Sequence, residues 1–314
     1  MRVSTNTIYD QSSSKLSDLQ SKMNTVQAQI SAQKRILTPS DDPVASARVL
    51  EVTQSQAVNA QFAINRQYAK DSLVSVDSAL SAVTDLLQDV KTVAISAGNP
   101  NLSDANRAAM ATTVRARMNE LVGLANATDG TGKYLFAGYH TTTAPFVVQA
   151  ANTTPPVQYV GDQGQRQIQV DSSRQLAISE SGQAIFQTNT QDIFKTLNDF
   201  ATLLDTPSAA TTITPPNTVN DLTVGIQTAN SNIAASLDNV LTARASTGSK
   251  LNELDALDTY GADRDVQYSV TLSNLQDLDY IKAITDFTKQ KTTLEAAQQS
   301  FVKLANLSLF NYIN

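Results

Sequence analysis

The chain has 314 residues, a formal charge of -6 and a sequence pI of about 4.8, with acidic and basic residues interspersed, so no basic tract exists to grip nucleic acid or anionic lipid. It contains no cysteine, which excludes disulfides and thiolate metal sites. Aromatics are 6% of residues and Trp is absent, a composition suited to rods that bury narrow seams of Leu, Val and Ala, not to one thick core.

From Tyr9 to Leu37 the chain carries a heptad. Its a positions are Tyr9, Leu16, Met23, Ile30 and Leu37, and its d positions are Ser12, Leu19, Val26 and Gln33. A 3-4 spacing with almost no apolar residue outside the seam marks a coiled-coil strand. Burying such side chains is worth roughly 1.5–3 kcal/mol each, against roughly 1–2 kcal/mol per residue for ordering the backbone. The strand is therefore expected to be marginal or disordered alone and to order by binding. The stretch from Met1 to Leu16 lacks the apolar core of a signal peptide, and no apolar run has membrane-spanning length, so export is expected only by a route that cleaves nothing.

Thr38-Pro39-Ser40-Asp41-Asp42-Pro43 follows. Pro39 pushes Thr38 out of the α region, Ser40 or Asp41 suits the cap of the next helix, and Pro43 suits its first turn. A second helix, roughly Pro43 to Ala97, repeats the heptad at Leu73, Val76, Leu80, Val83, Leu87, Val90, Ala94 and Ala97 before Gly98-Asn99-Pro100 stops it. Ser103 begins a third helix to about Ala127, with Met110, Val114, Met118, Leu121 and Leu124 on one face.

Then the period changes. Between Gly130 and Gly182, Val157 and Tyr159 alternate with polar residues, as do Ile168 and Val170, and Gly161-Asp-Gln-Gly164 reads as a hairpin loop. A small antiparallel β domain is expected, ending near Phe186. Ile193, Leu197, Leu203 and Leu204 suggest a short helix, and Thr206 to Asn217, with Pro207, Pro215 and Pro216, reads as an exposed loop.

Asp221 to about Leu257 is helical again, with Leu222, Ile226, Ala229, Ile233, Leu237, Val240, Arg244, Gly248 and Leu251 giving an eleven-residue period and a nearly straight bundle. A final helix from about Asp265 to Ile313 carries Tyr280, Phe287, Leu294, Phe301 and Ser308 seven apart, with Ala283, Ala297 and Leu304 at d positions. Ile284 and Ala305 widen this stripe, while Gln290 and Ser308 weaken it. The two end helices are natural partners, since loop closure costs only logarithmically in length.

No catalytic set appears. His140 is the sole histidine and no nucleophile elbow accompanies it. Gly130-Thr131-Gly132-Lys133 is half a P-loop with Ala127 and Tyr134 in the wrong places, so a turn is expected there. The pairs Asp41-Asp42 and Asp277/Asp279 lack the spacing of a calcium loop and suit capping and solvated faces. No enzyme activity, cofactor or metal is expected.

Several segments together resemble the bacterial flagellin family. Residues 32–43 (AQKRILTPSDDP) are similar to that family's turn after the first helix, and the Thr-Pro-Ser-Asp-Asp-Pro form points to its hook-filament junction branch over flagellin itself. Residues 124–138 (LANATDGTGKYLFAG) resemble the entry to its β domain, 239–254 and 275–280 its return helices, and 308–312 (SLFNY) its C-terminal signature. Gln33 stands where many members have glycine, which leaves the heptad free to run on to Leu37.

The resemblance implies export unfolded through the flagellar type III apparatus, a cytoplasmic chaperone on the C-terminal region, and assembly outside the cell into a helical ring between the first hook-associated protein and flagellin. The expected architecture is mainly α: a long antiparallel helical bundle with coiled-coil terminal helices and a small inserted antiparallel β domain. Residues 1–42 and 263–314 are expected as assembly helices, 43–129 and 189–262 as the two halves of a rod, and 130–188 as the β domain. The expected assembly interface comprises Tyr9, Leu16, Leu19, Met23, Val26, Ile30, Leu37, Tyr280, Phe287, Leu294, Phe301 and Leu304, with the corner Pro39, Ser40, Asp41, Asp42 and Pro43. A flagellin filament subunit and a secreted adhesin using the β domain are the alternatives.

Overall fold

A computed structural model describes residues 5–150, 153–206 and 219–313, excepting the side chains of residues 5, 6, 8, 219–221 and 304–313. In chain order the elements are α1 (Thr5–Ala32), α2 (Pro43–Ala97), α3 (Asp104–Ala125), β1 (Phe146–Val148), β2 (Val157–Tyr159), β3 (Gln167–Asp171), β4 (Arg174–Ala177), α4 (Gly182–Phe186), α5 (Ile193–Asp205), α6 (Val219–Gln276) and α7 (Tyr280–Ile313). The mainly α class with an antiparallel β insertion is as expected. The chain forms two units: Met1–Ala60 with Ala262–Asn314, and Gln61–Gly261.

In the Gln61–Gly261 unit the heptad of α2 forms the centre of the core. Leu73, Val76, Leu80, Val83, Leu87, Val90, Ala94 and Ala97 are all buried. From Val76 onward they share one cluster with Val114 and Leu121 of α3, Leu197 and Phe200 of α5, and Ile226, Ile233 and Val240 of α6. The Ser103 hydroxyl starts α3 by accepting the Asn106 N–H at 3.2 Å. Arg244 avoids an uncompensated charge in the α6 stripe by pairing with Asp77 at 3.2 Å.

Two separate two-stranded sheets hold the β region. Phe146 of β1 lies opposite Tyr159 of β2, and Gln167 of β3 opposite Ala177 of β4, both antiparallel. The segment Gly161 to Gly164 is therefore not a hairpin loop; it joins strands of different sheets. The cause is Asp162, whose carboxylate accepts the N–H groups of Tyr139 at 3.0 Å and Gly164 at 2.6 Å and so ties the segment to the loop after Phe136. Gly138 turns there with φ 67, where a Cβ would collide with Asp162. The second sheet buries Val170 and Leu176 with Ala69 and Leu73 of α2 and Leu254 of α6.

Four boundaries differ from the sequence reading. First, α1 ends at Ala32, so the heptad does not run on as helix to Leu37: Gln33 itself takes φ 58, the left-handed conformation that stops a helix. Second, α6 passes through the region of Gly261 without a break. Arg66, with its side chain 3% exposed, pairs with Asp258 and donates to the Val170 carbonyl at 3.1 Å, and its guanidinium fills the space of a Cβ at position 261. Gly261 thus serves close packing and does not terminate the helix.

Third, the α6–α7 break comes at Asp277–Asp279, where Asp279 caps α7 by accepting the Lys282 N–H at 3.0 Å. Fourth, the cap of α2 is Asp42, which accepts the Ala45 N–H at 3.0 Å, and neither Ser40 nor Asp41. Of the expected loop Thr206–Asn217, all beyond Thr206 lies outside the described residues.

Candidate assembly interface

Within the end unit α1 packs on α7 as an antiparallel pair. Along α1 the partly buried positions include Ser12, Leu16, Leu19, Met23, Val26 and Ile30, which is the 3-4 seam, and nearly every residue between them is exposed. Along α7 the facing positions are Ala283, Phe287, Gln290, Leu294, Ala297 and Phe301. Two contacts anchor the pair. The rings of Tyr9 and Phe301 stand 5.0 Å apart, and the Tyr280 hydroxyl donates to the Ile30 carbonyl at 3.2 Å. The structure thus brings Tyr9 against Phe301 at one end and Ile30 against Tyr280 at the other, and places Leu16, Leu19, Met23, Val26, Phe287 and Leu294 in the seam between. The side chain of Leu304 lies outside the described residues.

A clasp closes one end of this pair. The backbones at Lys34 and Asp277 form an antiparallel β-bridge, in which the Arg35 N–H donates to the Gln276 carbonyl at 2.7 Å and the Leu278 N–H donates to the Gln33 carbonyl at 3.2 Å. The Arg35 guanidinium reaches the Leu275 carbonyl at 2.9 Å and the Asp42 carboxylate at 3.1 Å. Leu37 is exposed beyond it.

The corner is a pair of carboxylate turns. Asp41 accepts the N–H groups of Leu37 at 2.9 Å and Thr38 at 2.8 Å, and these donors, Thr38 foremost, hold its carboxyl below the usual range. The Ala45 N–H and then Arg35 do the same for Asp42. Pro39 and Ser40 make the bend between Thr38 and Asp41, and Pro43 occupies the first position of α2, where no N–H is needed.

Sequence reasoning missed a second set of residues. Outside the seam, Leu50 of α2 is 72% exposed and Ile281 of α7 is 82% exposed, and Val44, Val58, Val266, Val270, Ile284 and Val302 are also open to solvent. Ile284 is thus not a widening of the buried stripe. The signal was present as i, i+3 and i, i+4 apolar pairs such as Ile281/Ile284 and Val266/Val270, off the heptad frame. These side chains lie outside the α1–α7 seam and are open to solvent.

The other candidates are local structure. Asp129 accepts the N–H groups of Thr131 at 2.8 Å and Lys133 at 3.0 Å, so the half P-loop is an Asx turn. His140 lies exposed in the following loop. Among the described residues no group of His, Cys, Asp or Glu side chains is arranged to hold a metal ion, and no helix is long and apolar enough to cross a membrane.

A model of the bacterial flagellin N-terminal helical region matches residues 3–141. Flagellar hook-associated protein 3 of Escherichia coli (strain K12) is 34% identical over 323 residues, covering 99% of this chain and 99% of its own length. The protein of the same name from Salmonella typhimurium is 35% identical over 319 residues, again covering 99% of both. Among solved structures, a putative flagellar hook-associated protein from Vibrio parahaemolyticus superposes with a TM-score of 0.66 at 21% identity, over 76% of this chain and all (100%) of that one. A flagellar junction protein from Legionella pneumophila does so with a TM-score of 0.62 at 18% identity, over 73% and 100% respectively. These structures share the fold.

Proposed function

The chain belongs to the family of flagellar hook-associated protein 3, and from that membership we propose that it is a structural adaptor of the bacterial flagellum, joining hook to flagellin filament by packing of its terminal helices. The observation that supports this mechanism is the make-up of the end unit, which buries one thin seam and leaves Leu50, Val266, Ile281 and Ile284 exposed. Covering each such side chain is worth roughly 1.5–3 kcal/mol, which a neighbouring chain supplies and an isolated molecule does not.

On this reading the interface comprises the seam residues Tyr9, Leu16, Leu19, Met23, Val26, Ile30, Phe287, Leu294, Phe301 and Leu304, with Leu37, Tyr280 and the corner from Pro39 to Pro43. Residues 1–42 and 263–314 are the assembly helices, 43–129 and 189–262 the halves of the rod, and 130–188 the β domain. The partners are copies of the same chain in a helical ring, the first hook-associated protein on one side and flagellin on the other. A chaperone holds the C-terminal region beforehand, and the chain leaves through the flagellar type III apparatus without a cleaved signal, to act outside the cell. The role is mechanical and calls for no catalysis or cofactor.

Deleting the gene tests the reading. The strain is expected to build hooks, shed flagellin into the medium and stop swimming, with all three reversed by the wild-type chain. A deletion strain that keeps attached filaments and swims would overturn it.

A further inference from the structure

Gln290 occupies an apolar slot. It follows Ala283 and Phe287 and precedes Leu294, Ala297 and Phe301 at the 4-3 spacing of the α7 seam, and it is the one polar member of that series. Its Oε1 is buried and accepts no hydrogen bond from any described residue. The Tyr280–Ile30 and Tyr9–Phe301 contacts fix the antiparallel register, because residue numbers across the pair have the same sum at both anchors. In that register Gln290 lies level with the stretch between Leu19 and Met23, two partly buried apolar side chains.

A carboxamide oxygen removed from water without a donor opposes whatever state buries it. In the closed α1–α7 pair that oxygen is buried; in the parted pair it regains water. The penalty therefore falls on the closed state alone, as with a lone polar residue at a core position of a coiled coil. We propose that Gln290 is a built-in weak point of the end unit, holding the α1–α7 pair readily separable so that the two chain ends part and re-form. The effect on opening depends on nothing beyond the seam. Its use, easing rearrangement as the ends meet neighbouring chains, rests on the adaptor reading above.

The full-length protein is compared with Gln290→Leu, Gln290→Met and, as a control, Gln298→Leu, whose position is exposed on the same helix. Met keeps the length of the side chain and removes the amide. The readouts are native-state hydrogen exchange and limited proteolysis across residues 9–32 and 280–303. Leu and Met at 290 are expected to slow opening about tenfold, and Leu at 298 to change it less than about twofold. Unchanged or faster opening in both 290 variants, or equal slowing by Gln298→Leu, would overturn the proposal. In a second arm, Gln290→Leu is expected to enter hook-filament junctions more slowly than wild type. Wild-type protein that never enters them would defeat the adaptor reading while leaving the exchange result standing.

Discussion

The carbonyl of Gln33 accepts the N–H of Leu278 at 3.2 Å, so the residue that ends the first helix is hydrogen-bonded to the break that begins the last. The two interruptions are one feature. Gln33 stops α1 by taking φ 58, and the freed backbone of residues 33–35 pairs with 276–278, so polar groups exposed by one broken helix satisfy those of the other.

Arg35 seals this clasp through its side chain, bonding both the Leu275 carbonyl and Asp42. Arg35→Ala is expected to loosen the clasp by about 1 kcal/mol, an effect kept small by exposure of the ion pair. Amide exchange across residues 33–42 should quicken roughly fivefold, with melting of the Gln61–Gly261 unit unchanged. Unaltered exchange would mean that the backbone bonds suffice alone.

Gly261 and Arg66 should be energetically coupled. A methyl at 261 would gain about 1 kcal/mol of helix propensity, yet it would displace a guanidinium that is held by Asp258 and the Val170 carbonyl. Gly261→Ala is therefore expected to destabilise the Gln61–Gly261 unit by about 1–3 kcal/mol. In an Arg66→Met background the same change should become neutral or stabilising. Additive effects in the double mutant would show that the two residues do not share this space.

Acid should undo the β region through Asp162. The Tyr139 N–H foremost, and that of Gly164, hold its carboxyl below the usual range, so its contribution is present above the ordinary carboxylate value of about 3.9 and is lost as pH falls through the lowered one. Asp162→Asn should lower the melting temperature at pH 7, and the gap to wild type should narrow as the pH falls below the ordinary carboxylate range. A gap that widens on acidification would reverse the assigned sign.

The heptad of α2 was legible because burial on one face imposes a period: the seam positions from Leu73 to Ala97 are all buried, Leu73 under the second sheet and the rest in the main core. The caps were harder, since Ser40, Asp41 and Asp42 are chemically equivalent candidates and only the backbone path chooses Asp42. The expected break between Leu257 and Asp265, where Gly261 lies, and the expected hairpin at Gly161–Gly164 both failed for one reason. Glycine marks both chain reversals and close approaches, and here Arg66 and Asp162, distant in sequence, decide which. The seam half of the candidate interface followed from spacing; the outer set led by Leu50 and Ile281 did not, because an apolar side chain looks alike in sequence whether its partner is in the same molecule or another.

That distinction can be put to mutation. Leu19→Asp places a charge in the α1–α7 seam, where roughly 1.5–3 kcal/mol of burial is lost and the carboxylate must be solvated, so the ends should be cleaved faster while the Gln61–Gly261 unit melts as before. Phe301→Asp should act likewise and also remove the ring contact with Tyr9. Ile281→Asp starts from a side chain 82% exposed, so proteolysis of the isolated protein should change by no more than about 0.5 kcal/mol. If other chains cover that face, the Ile281 variant should nonetheless fail to enter the junction, counted as swimming cells and as flagellin retained on hooks. Normal incorporation of Ile281→Asp with failure of Leu19→Asp would confine the interface to the seam. Normal incorporation of all three would remove the chain ends from assembly altogether, since neither a split seam nor a charged outer face would then matter to a neighbour.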